Sequence, residues 1–464
     1  MPTHPAPQTK PHHRAQPTQL ALSLLLAGSL LAGCASAPLA DANTTAAEDP
    51  AATHTSMTWW RDFQDPLLAD LITQALQANA NIASAQAALL QARAVRDVQL
   101  AATRPQLTVT GSAQRSTSDN TPASISFRSG LDASWELDVF DAKQSNVANR
   151  EADLVAARAS LRDVQLSMTA EVALAYIQLR GLQSQLGIAQ TNLASQSETL
   201  QITQWRAQAG LVTSLEVEQA QTAVSQTAAQ IPLLQSNLAK ARHSLATLTG
   251  QRPQALDAQL QTPAAIPQVA GTLADVIPAD SLRQRADVRA AEARITAAMA
   301  ALNAADAARK PSFRLGGSVG LTALTLTGLS NGAALASQVL ASISAPLLDG
   351  GAANAQVKVQ EAVLQQTRAA YQNTLLTALK EVQDAVVAQH NDRTRLGHLQ
   401  QAASAAHNAA LLAQNRYNSG LVDFQTVLQT QRTLLSAQDS LASLQAELSN
   451  DHVRLVKAMG GGWL

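Results

Sequence analysis

The stretch of sequence that decides the fold runs from residue 125 to residue 138 and reads ISFRSGLDASWELD. Counting every second position from Ile125, most residues are apolar. Most residues at the positions between them are polar, including Arg128, Asp132 and Glu136. Successive side chains of a strand point to opposite faces. This alternation therefore predicts a β-strand with one apolar face and one strongly polar face.

A second alternating run precedes this strand. It covers residues 106–115, and a mostly polar segment from Ser116 to Ala123 separates it from the strand over 125–138. Alternating runs joined by polar turn residues are typical of a β-hairpin. We therefore predict two paired strands over 106–115 and 125–138.

The chain carries this hairpin twice, because alternating runs recur over 312–324 and 336–346. Three landmarks recur around the hairpins at nearly constant offsets: Arg104-Pro105 with Lys310-Pro311, Asp141 with Asp349, and Gly210-Leu211-Val212 with Gly420-Leu421-Val422. Such regular offsets predict an internal duplication. Its parts are a first repeat over 57–250, an inter-repeat linker over 251–279, a second repeat over 280–459 and a C-terminal tail over 460–464.

Helices fill the rest of each repeat. The first repeat is predicted to hold a helix over 66–102, a long helix over 142–209 and a return helix over 212–248, and the second repeat the equivalents over 280–308, 350–417 and 421–459. The first long helix contains no proline and would extend about 100 Å at 1.5 Å per residue. Its apolar residues follow a heptad spacing with one stutter, which indicates coiled-coil packing. The predicted fold class is an α+β membrane protein with a duplicated helix–strand–strand–helix–helix repeat.

The N-terminus is typical of an exported protein. An apolar run over residues 20–31 follows a short basic segment and leads into Leu31-Ala32-Gly33-Cys34, which predicts a signal peptide over 1–33 that is removed. The tetrapeptide resembles the lipobox of bacterial lipoproteins, and this resemblance implies lipidation of Cys34. The alternative is an ordinary signal peptide followed by a chance thiol. Residues 34–56 lack periodicity and are predicted to form a flexible tether.

Composition argues against several classes of function. The formal net charge of −1 over 464 residues leaves no basic surface for nucleic acid, and a single cysteine excludes an internal disulfide. No HExxH, GxSxG or Walker-type run is present. Five histidines are scattered along predicted helices, where solvated polar faces explain them: His243, His390, His398, His407 and His452. We therefore expect no enzyme, no metal site and no cofactor beyond a covalent lipid on Cys34.

Four strands cannot close a barrel, and an open edge in lipid would leave backbone groups unpaired. Two copies of the chain would supply eight strands with a filled interior, whereas three copies would supply twelve and enclose water, as the polar strand face requires. The strands therefore favour a trimeric pore. The alternative is a lipid-tethered coiled-coil scaffold with small hairpins, which explains the helices but not the polarity of the strands.

Several motifs in one order carry a family resemblance: Trp59-Trp60-Arg61-Asp62-Phe63, Ser134-Trp135-Glu136-Leu137-Asp138, Arg285-Ala286-Asp287-Val288, Pro346-Leu347-Leu348-Asp349-Gly350-Gly351 and Gly460-Gly461-Gly462-Trp463. In this order they resemble the TolC-type outer-membrane efflux proteins, in the lipoprotein branch typified by NodT and OprM. The resemblance implies a homotrimer with a twelve-stranded barrel and a helical tunnel across the periplasm, acting as a passive duct for small molecules. It also implies two partners, a periplasmic adaptor protein and an inner-membrane pump, commonly of the proton-driven RND type. An exit channel for protein secretion is the alternative within the family.

The resemblance also assigns two sets of site residues. The hairpin tips that meet the adaptor match Arg206, Gly210, Leu211, Val212, Arg416, Gly420, Leu421 and Val422. The periplasmic aperture matches Tyr417, Asp423, Thr426 and Gln429. Many relatives carry aspartates that form an acidic ring at the positions where this chain has Thr426 and Gln429, so weaker cation binding is expected at the closed end. Asp423 is the nearest carboxylate, although it can equally serve only to start the next helix.

Overall fold

The computed structural model describes residues 58–118, 121–269 and 279–461. Three predictions lie outside the described residues, namely the signal peptide over 1–33, the lipidation of Cys34 and the tether over 34–56. Within the described residues no helix is long and apolar enough to cross a bilayer.

The elements follow the same order in both repeats. The first repeat holds a short 3-10 helix (Trp59–Phe63), α1 (Pro66–Ala78), α2 (Ala80–Ala101), β1 (Gln106–Ser118), β2 (Thr121–Leu137), α3 (Ala142–Gln208) and α4 (Ser214–Leu248). The linker contains α5 (Asp257–Leu260). The second repeat holds α6 (Ala279–Gln284), α7 (Ala286–Ala307), β3 (Ser312–Ala323), a 3-10 turn (Thr327–Leu329), β4 (Ala334–Ser344), α8 (Ala352–Asn418) and α9 (Phe424–Ala458).

The duplication preserves helix length. Helices α2 and α7 each have 22 residues, the long helices α3 and α8 each have 67, and the return helices α4 and α9 each have 35. Equivalent positions follow from the helix starts: Ala80 aligns with Ala286 before the hairpins, and Ala142 aligns with Ala352 after them. The spacing between the repeats grows slightly across the hairpins, because the connection between β3 and β4 is longer than the one between β1 and β2.

The helix predicted over 66–102 is broken at Asn79, and the one predicted over 280–308 is broken at the equivalent residue, Arg285. Both residues have extended backbone (ψ 128° and 138°) and precede the next helix. Asn79 Nδ2 donates to the Leu248 carbonyl at 2.8 Å, and Arg285 Nη1 donates to the Ala458 carbonyl at 2.7 Å. In each repeat, therefore, the break lets one side chain close the C-terminus of the return helix.

The four strands form one antiparallel sheet in the order β1-β2-β3-β4, so β1 and β4 are its edges. Strand β1 continues to Ser118 and β2 begins at Thr121, which leaves a shorter connection than the loop predicted over 116–123. Strand β4 ends at Ser344, before the predicted end at 346. Where β2 and β3 approach closely, Gly130 lies opposite Gly320, and a Cβ at Gly130 would stand 2.8 Å from the Val319 carbonyl oxygen.

The start of each long helix corrects one predicted correspondence. Asp349 accepts hydrogen bonds from the Gly351 and Ala353 amides at 2.8 Å, and these bonds lower its pKa. Its expected counterpart Asp141 instead has a left-handed backbone (φ 58°) and makes no side-chain cap. Asp138 takes the capping role by accepting from the Lys143 and Gln144 amides. By function, Asp138 is the counterpart of Asp349.

The largest core surrounds the middle of α3, and we call it the first-repeat collar. It packs apolar residues of the first 3-10 helix and α1 onto α3: Trp59, Trp60, Phe63, Leu68, Leu71 and Ile72 on Tyr176, Ile177 and Leu179. Leu256 and Leu260 are buried in the same core. The described part of the linker, 251–269, is therefore packed rather than a free connection.

Hydrogen bonds lock the collar to α3 and to the linker. Asp65 caps α1 through Oδ1 and accepts the Tyr176 hydroxyl through Oδ2 at 2.7 Å. Arg180 donates to that hydroxyl at 2.9 Å and to the Thr262 carbonyl at 2.9 Å. Burial and the bond to Asp65 raise the pKa of Tyr176, so the phenol remains a neutral donor.

Candidate functional site

Both hairpin tips have the same turn. Gly210 and Gly420 adopt left-handed backbone (φ 71° and 75°), a conformation open to glycine. The Leu211 amide donates to the Arg206 carbonyl at 2.8 Å, and the Leu421 amide donates to the Arg416 carbonyl at 2.8 Å. This closure is the Schellman motif that ends a helix, so the predicted glycines do terminate α3 and α8.

The residue after each glycine is a leucine that points away from the protein. Leu211 and Leu421 are each 74% exposed, and Val212 and Val422 are half-buried beside them. A turn that presents a leucine to solvent forms a small apolar surface available to a partner.

The two tip arginines differ. Arg206 donates from Nη1 to the Tyr417 carbonyl and from Nη2 to the Asn418 carbonyl, both at 3.1 Å, and its guanidinium lies 4.4 Å from the centre of the Tyr417 ring. It therefore stabilises the C-terminus of α8 from the other tip. Arg416 is exposed, and its side chain has no hydrogen-bond partner within the described residues.

Tyr417, the predicted aperture tyrosine, is buried inside the tips. Its ring lies 5.6 Å from the ring of Phe424 and packs with Ala413 and Val427. Its hydroxyl is buried without a hydrogen-bond partner among the described residues. In this arrangement Arg206 and Tyr417 join the two tips of one chain to each other.

Asp423 serves as the cap of α9. Its Oδ1 accepts from the Thr426 amide at 2.9 Å and from the Thr426 hydroxyl at 2.5 Å, and these bonds lower the pKa of Asp423. Thr426 and Gln429 are exposed on the first turns of α9. Asp423 thus starts α9, and its role at the aperture stays a prediction.

The heptad pattern missed a polar seam in the tip half of α3. Four buried polar residues continue the spacing of the apolar ones: Asn192, Gln196, Thr199 and Thr203. Gln431 of α9 donates to Thr199 at 3.0 Å, and Asn192 donates to Gln438 at 3.0 Å. The sequence would have indicated this seam only if the heptad spacing had been continued through polar as well as apolar residues.

A charged group near the end of α9 was also missed, and we call Glu447, Asp451, His452 and Arg454 the second-repeat cluster. Arg454 bonds both Glu447 and Asp451. Burial, with Glu447 and Asp392 nearby, raises the pKa of Asp451 to about 6. Burial, with Arg393 nearby, lowers the pKa of His452 to about 4. His452 packs edge-on against Phe63 at 5.5 Å, so the expectation that this histidine lies on a solvated face is wrong.

The polar face of the sheet carries its own contacts. The Thr110 hydroxyl donates to Asp132 at 2.6 Å, and Glu136 lies 3.6 Å from both Lys143 and Arg314. Two cations therefore meet at Glu136, while Asp132 is engaged by Thr110. Within the described residues, no group of three or more His, Cys, Asp or Glu side chains could hold a metal ion.

Comparisons with known proteins agree on one family. The sequence profile described as "Outer membrane efflux protein" matches residues 71–251 and 277–461, one span in each repeat. The pyoverdine export outer membrane protein OpmQ of Pseudomonas putida is 33% identical over 420 residues, covering 87% of this chain and 88% of that protein. Nodulation protein T of Rhizobium leguminosarum bv. viciae is 30% identical over 406 residues, covering 87% and 84%.

A solved structure of the outer-membrane channel OprN superimposes with a TM-score of 0.84 and 35% identity, covering 87% of this chain and 92% of that one. The profile match covers well over half of the chain, and the likeness extends to the fold as a whole. The chain therefore belongs to the outer membrane efflux protein family and is an outer-membrane channel of an efflux system.

Proposed function

We propose that three copies of this chain form the passive exit duct of a tripartite efflux pump for small molecules. The observation that carries the proposal is the open sheet. Within the part of the chain that the structure describes, its edges β1 and β4 have no partner strand on their outer sides. Apolar residues along them are exposed, among them Leu107, Val109, Val339 and Ile343. Three sheets joined edge to edge give twelve strands, which pair all edges and turn the polar face towards an aqueous interior.

The partners we propose are a periplasmic adaptor protein and an inner-membrane pump of the proton-driven RND type. The adaptor docks on the tips, where Leu211 and Leu421 present exposed apolar side chains. Arg416 is exposed at the same end, whereas Arg206 is engaged within the chain. A relative that exports pyoverdine and others named for toluene and solvent efflux support small molecules as cargo.

We further propose that a lipid on Cys34 anchors the chain and that the duct itself catalyses nothing. Each chain would contribute one carboxylate to the aperture, Asp423, whose Oδ1 is engaged in capping α9, while the neighbouring Thr426 and Gln429 are neutral. This supports weaker cation binding there than an acidic ring would give.

The test of docking changes both exposed leucines. The double variant Leu211→Ser with Leu421→Ser removes apolar surface without touching the glycine turns, so we expect resistance to a pump substrate to fall to that of a strain lacking the channel. The matched control is Leu211→Met with Leu421→Met, which keeps an apolar side chain and should retain resistance. Resistance is measured in a strain carrying the adaptor and pump, and native mass measures assembly.

Trimers of normal mass with lost resistance support docking at the tips. Unchanged resistance in the serine variant would remove the tips from the docking site. A native mass below that of a trimer in the unmodified chain would instead contradict the proposed assembly.

A further inference from the structure

A cavity of about 390 Å³ lies between α8 and α9 in the second repeat. Three carboxylates line it, Glu381 and Asp384 from α8 and Asp451 from α9. Glu381 and Asp384 are exposed, whereas Asp451 is only 1% exposed. The cavity therefore has acidic groups at its rim and a further one at its floor.

The equivalent joint of the first repeat, between α3 and α4, is packed. Aligning the starts of the long helices and of the return helices gives an equivalent for each residue that lines the cavity. Four of these equivalents pack against the first-repeat collar: Leu174 for Asp384, Ala175 for Ala385, Ala241 for Asp451 and Leu248 for Ala458. One joint is thus closed by apolar side chains, while its counterpart keeps an open volume lined by charge.

Asp451 is incompletely bonded. Its Oδ1 accepts from Arg454 Nη1 at 3.1 Å, but its Oδ2 is buried without a hydrogen-bond partner among the described residues. Such an oxygen is costly, because burial removes the hydration of an ionised group and nothing replaces it. Burial and the nearby carboxylates Glu447 and Asp392 raise the pKa of Asp451 to about 6. A positively charged donor is therefore missing at this position.

The basic residues that line the cavity do not supply this donor. Arg454 is shared between Glu447 and Oδ1 of Asp451. Lys457 lies near Asp163, whose charged form it favours, and it makes no ion pair with Asp451 within the described part of the chain. Both cations are thus already compensated by other carboxylates.

The rim carboxylates can accept a further donor. Arg285 bonds Glu381 at 2.7 Å through Oε2, and Lys380 bonds Asp384 at 2.8 Å through Oδ2. Each carboxylate is engaged through one oxygen, and both side chains are exposed. A second positive group at the rim would therefore meet acceptors.

We propose that this cavity binds an aliphatic diamine or polyamine. One ammonium group donates to Asp451 at the floor, the hydrocarbon chain lies along Ala385, Ala388 and Ala458, and a second ammonium group reaches a rim carboxylate. A metal ion fits less well, because no group of three or more His, Cys, Asp or Glu side chains within the described residues could hold one. The site lies within one chain and does not rest on the proposed trimer.

The experiment measures amine binding to the full-length chain purified in detergent. The linear diamine cadaverine is titrated by calorimetry at pH 7.5, where Asp451 is ionised. Pentylamine and pentanediol are the matched compounds, which lack one and both ammonium groups. We expect saturable binding of cadaverine at one site per chain, weaker binding of pentylamine and no binding of pentanediol.

Variants locate the site. Asp451→Asn keeps the shape of the side chain and removes its charge, so the affinity for cadaverine should fall about tenfold or more. Ala388→Leu fills the cavity without changing its charge and should also weaken binding. The matched control is Asp439→Asn, which removes an exposed carboxylate of α9 outside the cavity and should bind like the unmodified chain. Melting temperatures without amine establish that each variant is folded.

Proton release identifies the carboxylate that meets the amine. Near pH 6 about half of the Asp451 side chains are protonated, so binding of an ammonium group should release about half a proton per site. The neighbouring His452, with a pKa of about 4, is neutral at this pH and contributes little. Calorimetry in buffers of different ionisation enthalpy measures the release, which should be small at pH 7.5 and absent in Asp451→Asn.

Weaker binding in the folded Asp451→Asn and Ala388→Leu variants, with unchanged binding in Asp439→Asn, supports the site. If Asp451→Asn does not fold, Ala388→Leu and the proton release decide. Cadaverine that binds both cavity variants as tightly as the unmodified chain, equal binding of pentanediol, or no saturable binding of cadaverine overturns the proposal. None of these results bears on the exit duct, which is tested by resistance and native mass.

Discussion

The first-repeat collar packs on α3, whereas the second-repeat cluster lies on the return helix α9 beside the equivalent level of α8, and the two are built from opposite chemistry. Leu174 and Leu182 of α3 pack against the aromatic collar, whereas the equivalent positions of α8 are Asp384 and Asp392. Both repeats nevertheless keep identical helix lengths and the same closure of the return helix. The backbone is thus specified by caps, breaks and turns that both repeats share, while the side chains at this level are free to diverge.

The largest expected effect breaks the collar. Leu71 is fully buried, so Leu71→Ala leaves a cavity and should lower the free energy of unfolding by about 2–5 kcal/mol. The matched control is Leu215→Ala, which truncates an exposed leucine of α4 and should change little. Apparent melting temperature in detergent measures both, and equal shifts would mean that the collar is not the stabilising core.

The next effect sharpens the comparison through pH. The folded pKa of Asp451, about 6, lies above its ordinary value of 3.8, so Asp451 makes the fold more stable as pH falls from about 6 to about 4. The folded pKa of His452, about 4, lies below its ordinary value of 6.5, so His452 makes the fold less stable as pH falls through nearly the same range. The two neighbours oppose each other.

Single variants should uncover each slope. Asp451→Asn leaves His452 unopposed, so stability should fall by up to about 3 kcal/mol between pH 6.5 and pH 4, from 1.36 kcal/mol per pKa unit. His452→Phe keeps an edge-on ring against Phe63 and leaves Asp451 unopposed. The stability of this variant should therefore rise as pH falls from 6.5 to 4. Melting temperatures across pH are the measurement, and parallel curves for both variants would contradict the opposition.

The smallest effect separates the two helix closures by their charge. Arg285→Met removes the hydrogen bond to Ala458 and the ion pairs with the partly exposed Asp287 and Glu381. This change should lower the free energy of unfolding by about 2 kcal/mol. Asn79→Ala removes a neutral helix cap and the hydrogen bond to Leu248, and should lower the free energy of unfolding by about 1 kcal/mol. Salt screens ion pairs, so the first loss should shrink in about 1 M salt and the second should not. Equal salt dependence would argue against an electrostatic role for Arg285.

Sequence periodicity was sufficient for the duplication, the four strands and the long helices, because each of these rests on a local repeat of apolar positions. It was insufficient for the breaks at Asn79 and Arg285. Neither residue is a glycine or proline, and the reason for each break is a contact with a helix end that is distant in the sequence.

The tip residues were predictable in part. Glycine at 210 and 420 marked the turns because left-handed backbone favours glycine at the end of a helix. The difference between Arg206 and Arg416 was not readable, since both stand in the same local motif and only the packing of one tip on the other distinguishes them. The polar seam and the buried His452 were missed for a related reason, because polar residues were assigned to solvent by type.

The equal length of α3 and α8 places a constraint on how such a chain can change over generations. Both helices end in turns at one level, and inserting a single turn in one of them would advance its tip by about 5.4 Å past the other. An insertion or deletion would therefore be tolerated only when a matching one occurs in the codons of the other long helix. The lengths of the two long helices must therefore change together, whereas surface residues can be substituted one at a time.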